Sequence, residues 1–167
     1  MKDKLLIILQ FVLLVLAQVL VFNHVQLFGW MGIYLYVLFI IVLPTTIGHV
    51  PLLILGALIG FAVDAFSGMY GLHAAATILT AFARPYVMQI FVSREQMEQT
   101  YPSYKTFGMA FYYYAVVLVL LHHFTLFMLE AFNWHLLPQA LLHTVLSALL
   151  TMLLIVLLQQ LKSFRRY

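Results

Sequence analysis

The sequence predicts an all-α, polytopic membrane protein with six transmembrane helices and both termini in the cytoplasm. Three observations predict it. The chain is 65% hydrophobic and 8% charged, whereas a soluble domain is about 45–50% apolar and about 25% charged. Its apolar residues fall into runs close to the roughly 20 residues that cross a hydrocarbon layer. Its lysines and arginines gather at the two ends and in one internal loop, which is how topology is encoded. The 167 residues read as one six-helix domain, residues 1–167, too short to add a soluble one.

The first span is Leu5–Phe22. It opens like a signal peptide, with Lys2 and Lys4 before an apolar run. The run is long enough to cross and no small-x-small cleavage site follows, so it is expected to stay uncleaved. The second span is Met31–Ile47 and the third is Pro51–Phe66. Both are short, and "PTTIGHVP" between them reads as a tight cytoplasmic turn. The fourth, fifth and sixth spans are Tyr70–Val92, Thr106–Leu129 and Pro138–Leu161.

Charge checks the count. Lys2 and Lys4 precede the first span, Arg94 and Lys105 flank "SREQMEQTYPSYK", and Lys162, Arg165 and Arg166 follow the last span. The other connections, "NHVQLFGW", "SGMY" and "EAFNWHLL", carry no Lys or Arg. The positive-inside rule puts both ends and the Arg94–Lys105 loop in the cytoplasm, which requires an even number of spans. Trp30 and Trp134 fall in the outer loops, where an aromatic belt places them. The net charge of +3 therefore marks topology, and no nucleic-acid partner is expected. The chain has no cysteine, which excludes disulfides and thiolate chemistry.

The third span carries Gly56, Gly60 and Asp64 at i, i+4, i+8. They share one face, and G-x-x-x-G lets a second helix come close. An ionised carboxylate at the centre of a spanning helix costs roughly 2.5–3.5 kcal/mol on insertion scales, so Asp64 is expected to face protein, near the outer end of the span. The fourth span carries His73, Thr77, Thr80 and Arg84 on one stripe. His73 starts near the depth of Asp64, and Arg84 lies roughly 16 Å further in. Asp64 is thus expected to pair with His73, or with a water or ligand beside it, and not with Arg84. Arg84 itself reads either as part of this polar core or as a side chain snorkelling to the cytoplasmic headgroups.

The last span presents Gln139, His143, Ser147 and Thr151 at successive i+4 positions, and the fifth carries His122 and His123 in its outer half. Together they outline a candidate outer pocket of His122, His123, Gln139 and His143. The plainer reading is that such groups hydrogen-bond across helix contacts, each contributing about 1 kcal/mol or less.

No catalytic set emerges. An aspartyl dyad needs a second carboxylate, and only Glu130, at the boundary, is near. A Ser67–His143 pair lacks the Gly-x-Ser-Gly context of an intramembrane serine protease. Asp64, His73, His122 and His143 are suitable zinc ligands but have no supporting spacing. There is no nucleotide-binding motif. Neither enzyme activity, metal nor cofactor is expected.

The stretch "LGALIGFAVDAFSGMYGLHAAA", with Gly56, Gly60, Asp64, Gly71, Leu72, His73 and Ala74, resembles the central motif of MreD, the rod shape-determining membrane protein family. "FNHVQLFGW", "YLYVLFIIVLP" and "LTAFARP" also resemble regions of that family, and length and span number agree over nearly the whole chain. The resemblance implies a non-catalytic scaffold of the bacterial inner membrane. Its direct partner would be MreC, with MreB filaments, RodA and a class B penicillin-binding protein in the wider elongation complex. Gly56, Gly60, Asp64, Gly71, His73, Thr77 and Arg84 would form its structural or partner-binding core. The MreD fold is similar to the S components of energy-coupling-factor transporters, so an outward-facing subunit binding a vitamin-like small molecule is the alternative. S components dock through an Ala-x-x-x-Ala pattern in the first span, where this chain has Ala17 alone.

Overall fold

The computed structural model describes residues 2–25 and 31–164. Trp30, Arg165 and Arg166 lie outside the described residues, as do the side chains of Lys2, Trp134 and Lys162. The long helices are α1 (Lys2–Leu20), α3 (His49–Ser67), α4 (Leu72–Phe91), α7 (Met109–Ala131) and α8 (Leu137–Phe164). Between them lie the short helices α2 (Leu38–Val42), α5 (Arg94–Met97) and α6 (Tyr104–Phe107). Among the described residues, four helical stretches, Asp3–His24, His49–Ser67, Met109–Ala131 and Leu137–Leu161, are long and apolar enough to cross a membrane. This is the build of a membrane protein. The fourth helix, α4, has the length but is not among those four: its stripe of His73, Thr77, Thr80 and Arg84 is buried inside the protein.

The helices α3, α4, α7 and α8 pack in sequence order, each against the next, and α1 lies against α3. The expected second span departs from a helix. Within 31–47, only a 3-10 turn at Leu35–Val37 and the five-residue α2 are helical. Leu43 is extended, with φ −54° and ψ 148°, because Pro44 disfavours the helical region for the residue before it. Apolar runs rich in Val, Ile and aromatics cannot be assigned to helix or extended chain by periodicity alone, which is why this segment reads as a span. Tyr36, Val37, Phe39, Ile40, Ile41 and Leu43 are fully buried. The segment is thus a plug of broken backbone surrounded by α1, α3, α4, α7 and α8, with Tyr36, Phe39 and Ile40 in one apolar cluster with Ile59 and Val63, and Val37 and Ile41 in another with Leu118.

Broken backbone inside a membrane protein must find its hydrogen bonds in protein. Four side chains supply them. The Gln18 amide donates to Ile33 O at 2.9 Å and its oxygen accepts from Tyr36 N at 3.4 Å. Thr151 Oγ1 accepts from Tyr34 N at 3.1 Å. Tyr114 donates to Ile41 O at 3.0 Å, and Arg84 donates to Leu43 O and Pro44 O.

The connection from α4 to α7 is folded, not loose. Ser93 and Ser103 cap α5 and α6 with reciprocal bonds to Gln96 and Thr106, the capping-box arrangement. Tyr101 donates to Asp3 at 2.9 Å, and that bond pushes the Tyr101 pKa above its ordinary value. Thr45 bonds to Gln99 O through its hydroxyl at 3.0 Å and to Thr100 O through its amide at 2.9 Å. The start of α1, the turn after α2 and the 93–107 connection therefore meet at one end of the bundle.

Candidate functional site

The site is built at the other end of the α3–α4 pair, where one helix stops and the next begins. Helix α3 ends at Gly68, whose φ of 67° is left-handed, and α4 starts after Gly71, at φ 86°. Both positions favour glycine because a Cβ is strained there. The short turn reverses the chain and points the first N–H groups of α4 back at the last turn of α3. Those N–H groups have no partner within their own helix.

Asp64 supplies it. One carboxylate oxygen accepts from His73 N at 3.1 Å and from His73 Nδ1 at 2.8 Å, and the other accepts from Ala74 N at 3.0 Å. A negative charge at a helix N-terminus is also favoured by the peptide dipoles. Asp64 is 3% exposed, so the cost of burying a carboxylate is offset by three donors rather than by lipid-facing relief. Asp64 is therefore a capping residue borrowed from the neighbouring helix. It also fixes the His73 ring: with Nδ1–H given to the carboxylate, Nε2 is the ring's acceptor.

The glycine face explains how the helices come close enough. A Cβ on Gly60 would sit 2.3 Å from Ala74 Cα, 2.3 Å from Thr77 Oγ1 and 2.7 Å from Ala74 N. A Cβ on Gly56 would be 3.0 Å from Ala81 Cβ and 3.2 Å from Thr77 O. The contact is tightest one turn below Asp64. The Thr77 and Thr80 hydroxyls do not bridge helices. They donate to carbonyls of their own helix, Thr77 to His73 O at 2.7 Å and Thr80 to Ala76 O at 2.7 Å.

Arg84 does not snorkel. It is 3% exposed. Its Nε donates to Tyr114 Oη at 2.9 Å, and its two terminal nitrogens donate to Leu43 O and Pro44 O. It caps the carbonyl end of α2 and the chain just beyond it, far from Asp64, in the role cations take at helix C-termini. Gly56, Gly60, Asp64, Gly71, His73 and Thr77 meet at the α3–α4 junction, while Arg84 serves a second centre.

Of the four residues grouped as an outer pocket, the three histidines form one chain of ring contacts, His122 on His123 at 5.3 Å and His143 one ring further on, through Phe127. His122 and His123 are fully buried. His122 Nε2 is 2.8 Å from Tyr36 Oη, and His123 bonds to Val119 O at 2.8 Å and to Thr151 Oγ1 at 3.2 Å. Gln139 is exposed, and the half-buried His143 packs its ring on Phe127 at 5.6 Å. None of the four lines the cavity beside the α3–α4 turn. That cavity, of about 320 Å³, lies, among the described residues, between the ends of α1 and α3, residues 32–34 and the start of α4. Its polar wall comprises Gln18, Asn23, His24, Tyr34, Ser67 and His73.

A Ser–His–Asp reading of Ser67, His73 and Asp64 lacks its first bond. Ser67 Oγ accepts from Asn23 Nδ2 at 2.9 Å, and no Ser67–His73 bond joins nucleophile to base. Among the described residues, no group of three or more His, Cys, Asp or Glu could hold a metal ion.

Comparisons with protein-family models, with curated proteins and with solved structures return no match.

Sequence reasoning missed Gln18, Asn23, Tyr36 and Tyr114. Gln18 carried a usable signal, as one of two amides, with Gln10, in an otherwise apolar run. Asn23 sits at the end of that run, and Tyr36 and Tyr114 are hidden among other aromatics.

Proposed function

We propose that this protein is a non-catalytic scaffold of the MreD type in the bacterial inner membrane, holding MreC and taking part through it in cell-wall elongation. The observation that carries the reading is the use of the motif residues. Gly56, Gly60, Asp64, Gly71 and His73, on which the resemblance rests, meet at one helix junction where each is spent on packing, turning or capping. A junction so fully committed to holding two helices together suits a rigid docking element. MreB filaments, RodA and a class B penicillin-binding protein are then partners of the wider complex.

In this reading the chain crosses six times, through α1, the plug 31–47, α3, α4, α7 and α8, with both ends and the 93–107 connection in the cytoplasm. Support comes from the basic residues of these segments and from the Tyr101–Asp3 and Thr45–Thr100 bonds, which gather the start of α1, the turn after α2 and the 93–107 connection at one end. The absence of native cysteine makes the topology readable. Gln99→Cys is expected to react with a membrane-impermeant maleimide only after cells are opened, and Tyr70→Cys in intact cells. The reverse pattern would refute the orientation.

The function itself is tested with Asp64→Ala, expressed beside MreC. The variant is expected to insert at wild-type level, to retain less MreC on co-purification and to give rounded cells. Rod-shaped cells with undiminished MreC recovery would remove the proposal.

A further inference from the structure

Helix α1 carries two amides, and the fold uses one of them, Gln18, which bonds to the plug and to Asn23. Gln10 lies inside the apolar run Leu5–Phe22, where hydrocarbon offers an amide no partner. Its Oε1 is buried without a hydrogen bond among the described residues. Its Nε2 makes none among them either and is not enclosed, and Gln10 as a whole is half-buried. Leaving a buried acceptor unpaired is costly, and the α3–α4 scaffold reading makes no use of this side chain.

Residues three and four apart are neighbours on a helix surface. On one side of Gln10, Ile7 and Leu14 pack toward the plug. On the other, Leu6 and Leu13 are exposed. Gln10 thus sits on the shoulder of α1, at the edge of its lipid-facing surface. Leu6, Gln10, Leu13, Ala17 and Leu20 recur at alternating steps of four and three. That is the spacing of a coiled-coil seam, in which a single polar residue fixes the register. Ala17, half-buried, is small enough to let a second helix come close. Among the described residues, the Asp3–His24 stretch is also the least enclosed by its own chain of the four apolar stretches.

Self-complementarity selects the partner. A primary amide both donates and accepts, so a second amide satisfies it. The bias of lysine and arginine gives every copy of this chain one orientation, which puts Gln10 at the same depth in each. Two α1 helices packed in parallel about a twofold axis present the same patch to each other and bring Gln10 to Gln10. We infer that the Leu6, Gln10, Leu13, Ala17 and Leu20 stripe of α1 docks on the same stripe of a second copy of this chain, with the two Gln10 amides hydrogen-bonded to each other. The inference goes beyond the scaffold reading and does not depend on MreC.

The chain has no cysteine, so a single introduced one reports the seam. In oxidised native membranes, Leu13→Cys is expected to give a band of doubled mass. Ile8→Cys, exposed on the opposite side of α1, is expected to give none. Energy transfer between donor- and acceptor-labelled full chains in liposomes, each labelled at Gln99→Cys and diluted with lipid, measures the affinity. Gln10→Leu should weaken it about three- to thirtyfold, the equivalent of about 0.6–2 kcal/mol for hydrogen bonds between membrane helices. Gln10→Asn, which keeps the amide, should weaken it less. At high lipid dilution Gln10→Leu should leave the stability of the monomer undiminished, because Oε1 has no partner to lose. No doubled band from Leu13→Cys, an adduct with another protein in its place, or an equally strong doubled band from Ile8→Cys would each overturn the inference. So would an affinity unchanged in Gln10→Leu, or a monomer weakened by it.

Discussion

Gly60→Ala is expected to destabilise the protein by about 3 kcal/mol or more, at or beyond the upper end of ordinary overpacking. The added methyl would meet Ala74 Cα and N and Thr77 Oγ1 at 2.3–2.7 Å, distances that real Cβ atoms do not tolerate. None of these atoms can step aside cheaply. Two are backbone, and Thr77 Oγ1 is tied to His73 O and Ala74 O. Relief requires α4 to move away from α3, but Ala74 N is held by Asp64, so relief would stretch the cap. Gly56→Ala is the control. Its closest contacts are 3.0 and 3.2 Å, and Ala is better than Gly inside a helix by about 1 kcal/mol, so its net effect should stay within about 1 kcal/mol of zero. Denaturant titration of the purified protein, read by helix content, measures both. Because Gly60 and Asp64 act on the same residue of α4, the double variant Gly60→Ala, Asp64→Ala should lose less than the sum of the singles. A mild Gly60→Ala, or strict additivity, would mean that the α3–α4 contact is looser than described.

The α3–α4 hairpin was the most legible part of this chain. Glycines at i and i+4, an aspartate at i+8 and a histidine after a Ser-Gly turn leave few arrangements once lipid is the solvent. What could not be read was how the carboxylate is satisfied. The sequence suggests a side-chain partner, and His73 is one, yet two of the three donors are backbone N–H groups that no side-chain pattern displays. The same blindness affects the plug. Gln18, Thr151, Arg84 and Tyr114 lie on four different helices, and what unites them is irregular backbone whose position depends on Pro44 and on tertiary packing. His122, His123, Gln139 and His143 were grouped by approximate depth. Depth does not fix azimuth on a helix: the three histidines share the rings of Tyr34 and Phe127 as neighbours, while Gln139 is exposed. The small α5 and α6 were legible in principle, since Ser93 to Gln96 and Ser103 to Thr106 have capping-box spacing.

Arg84→Met is expected to cost about 3 kcal/mol, and Arg84→Lys about 2 kcal/mol. Hydrogen bonds to charged groups contribute about 1.5–3 kcal/mol, and each buried acceptor left unpaired costs about 1–3 kcal/mol. Part of the loss is recovered because Met removes a desolvated charge. Lys keeps the charge but concentrates its donors on one nitrogen. A guanidinium spreads them across a plane, which is how Arg84 reaches Tyr114 Oη, Leu43 O and Pro44 O together. The order Arg, then Lys, then Met is the diagnostic. A snorkelling cation would give a different one, with Lys equal to Arg, because headgroups accept either. Tyr114→Phe supplies a second reading of the same centre. It keeps Arg84 but strips Ile41 O of its donor and Arg84 Nε of its acceptor, and should cost about 1–3 kcal/mol. The Arg84→Met, Tyr114→Phe double variant should fall well short of additivity, since the two side chains share one hydrogen bond and one stretch of backbone. Lys matching Arg in stability, with Tyr114→Phe silent, would show that the plug holds itself without them and would return Arg84 to the membrane surface.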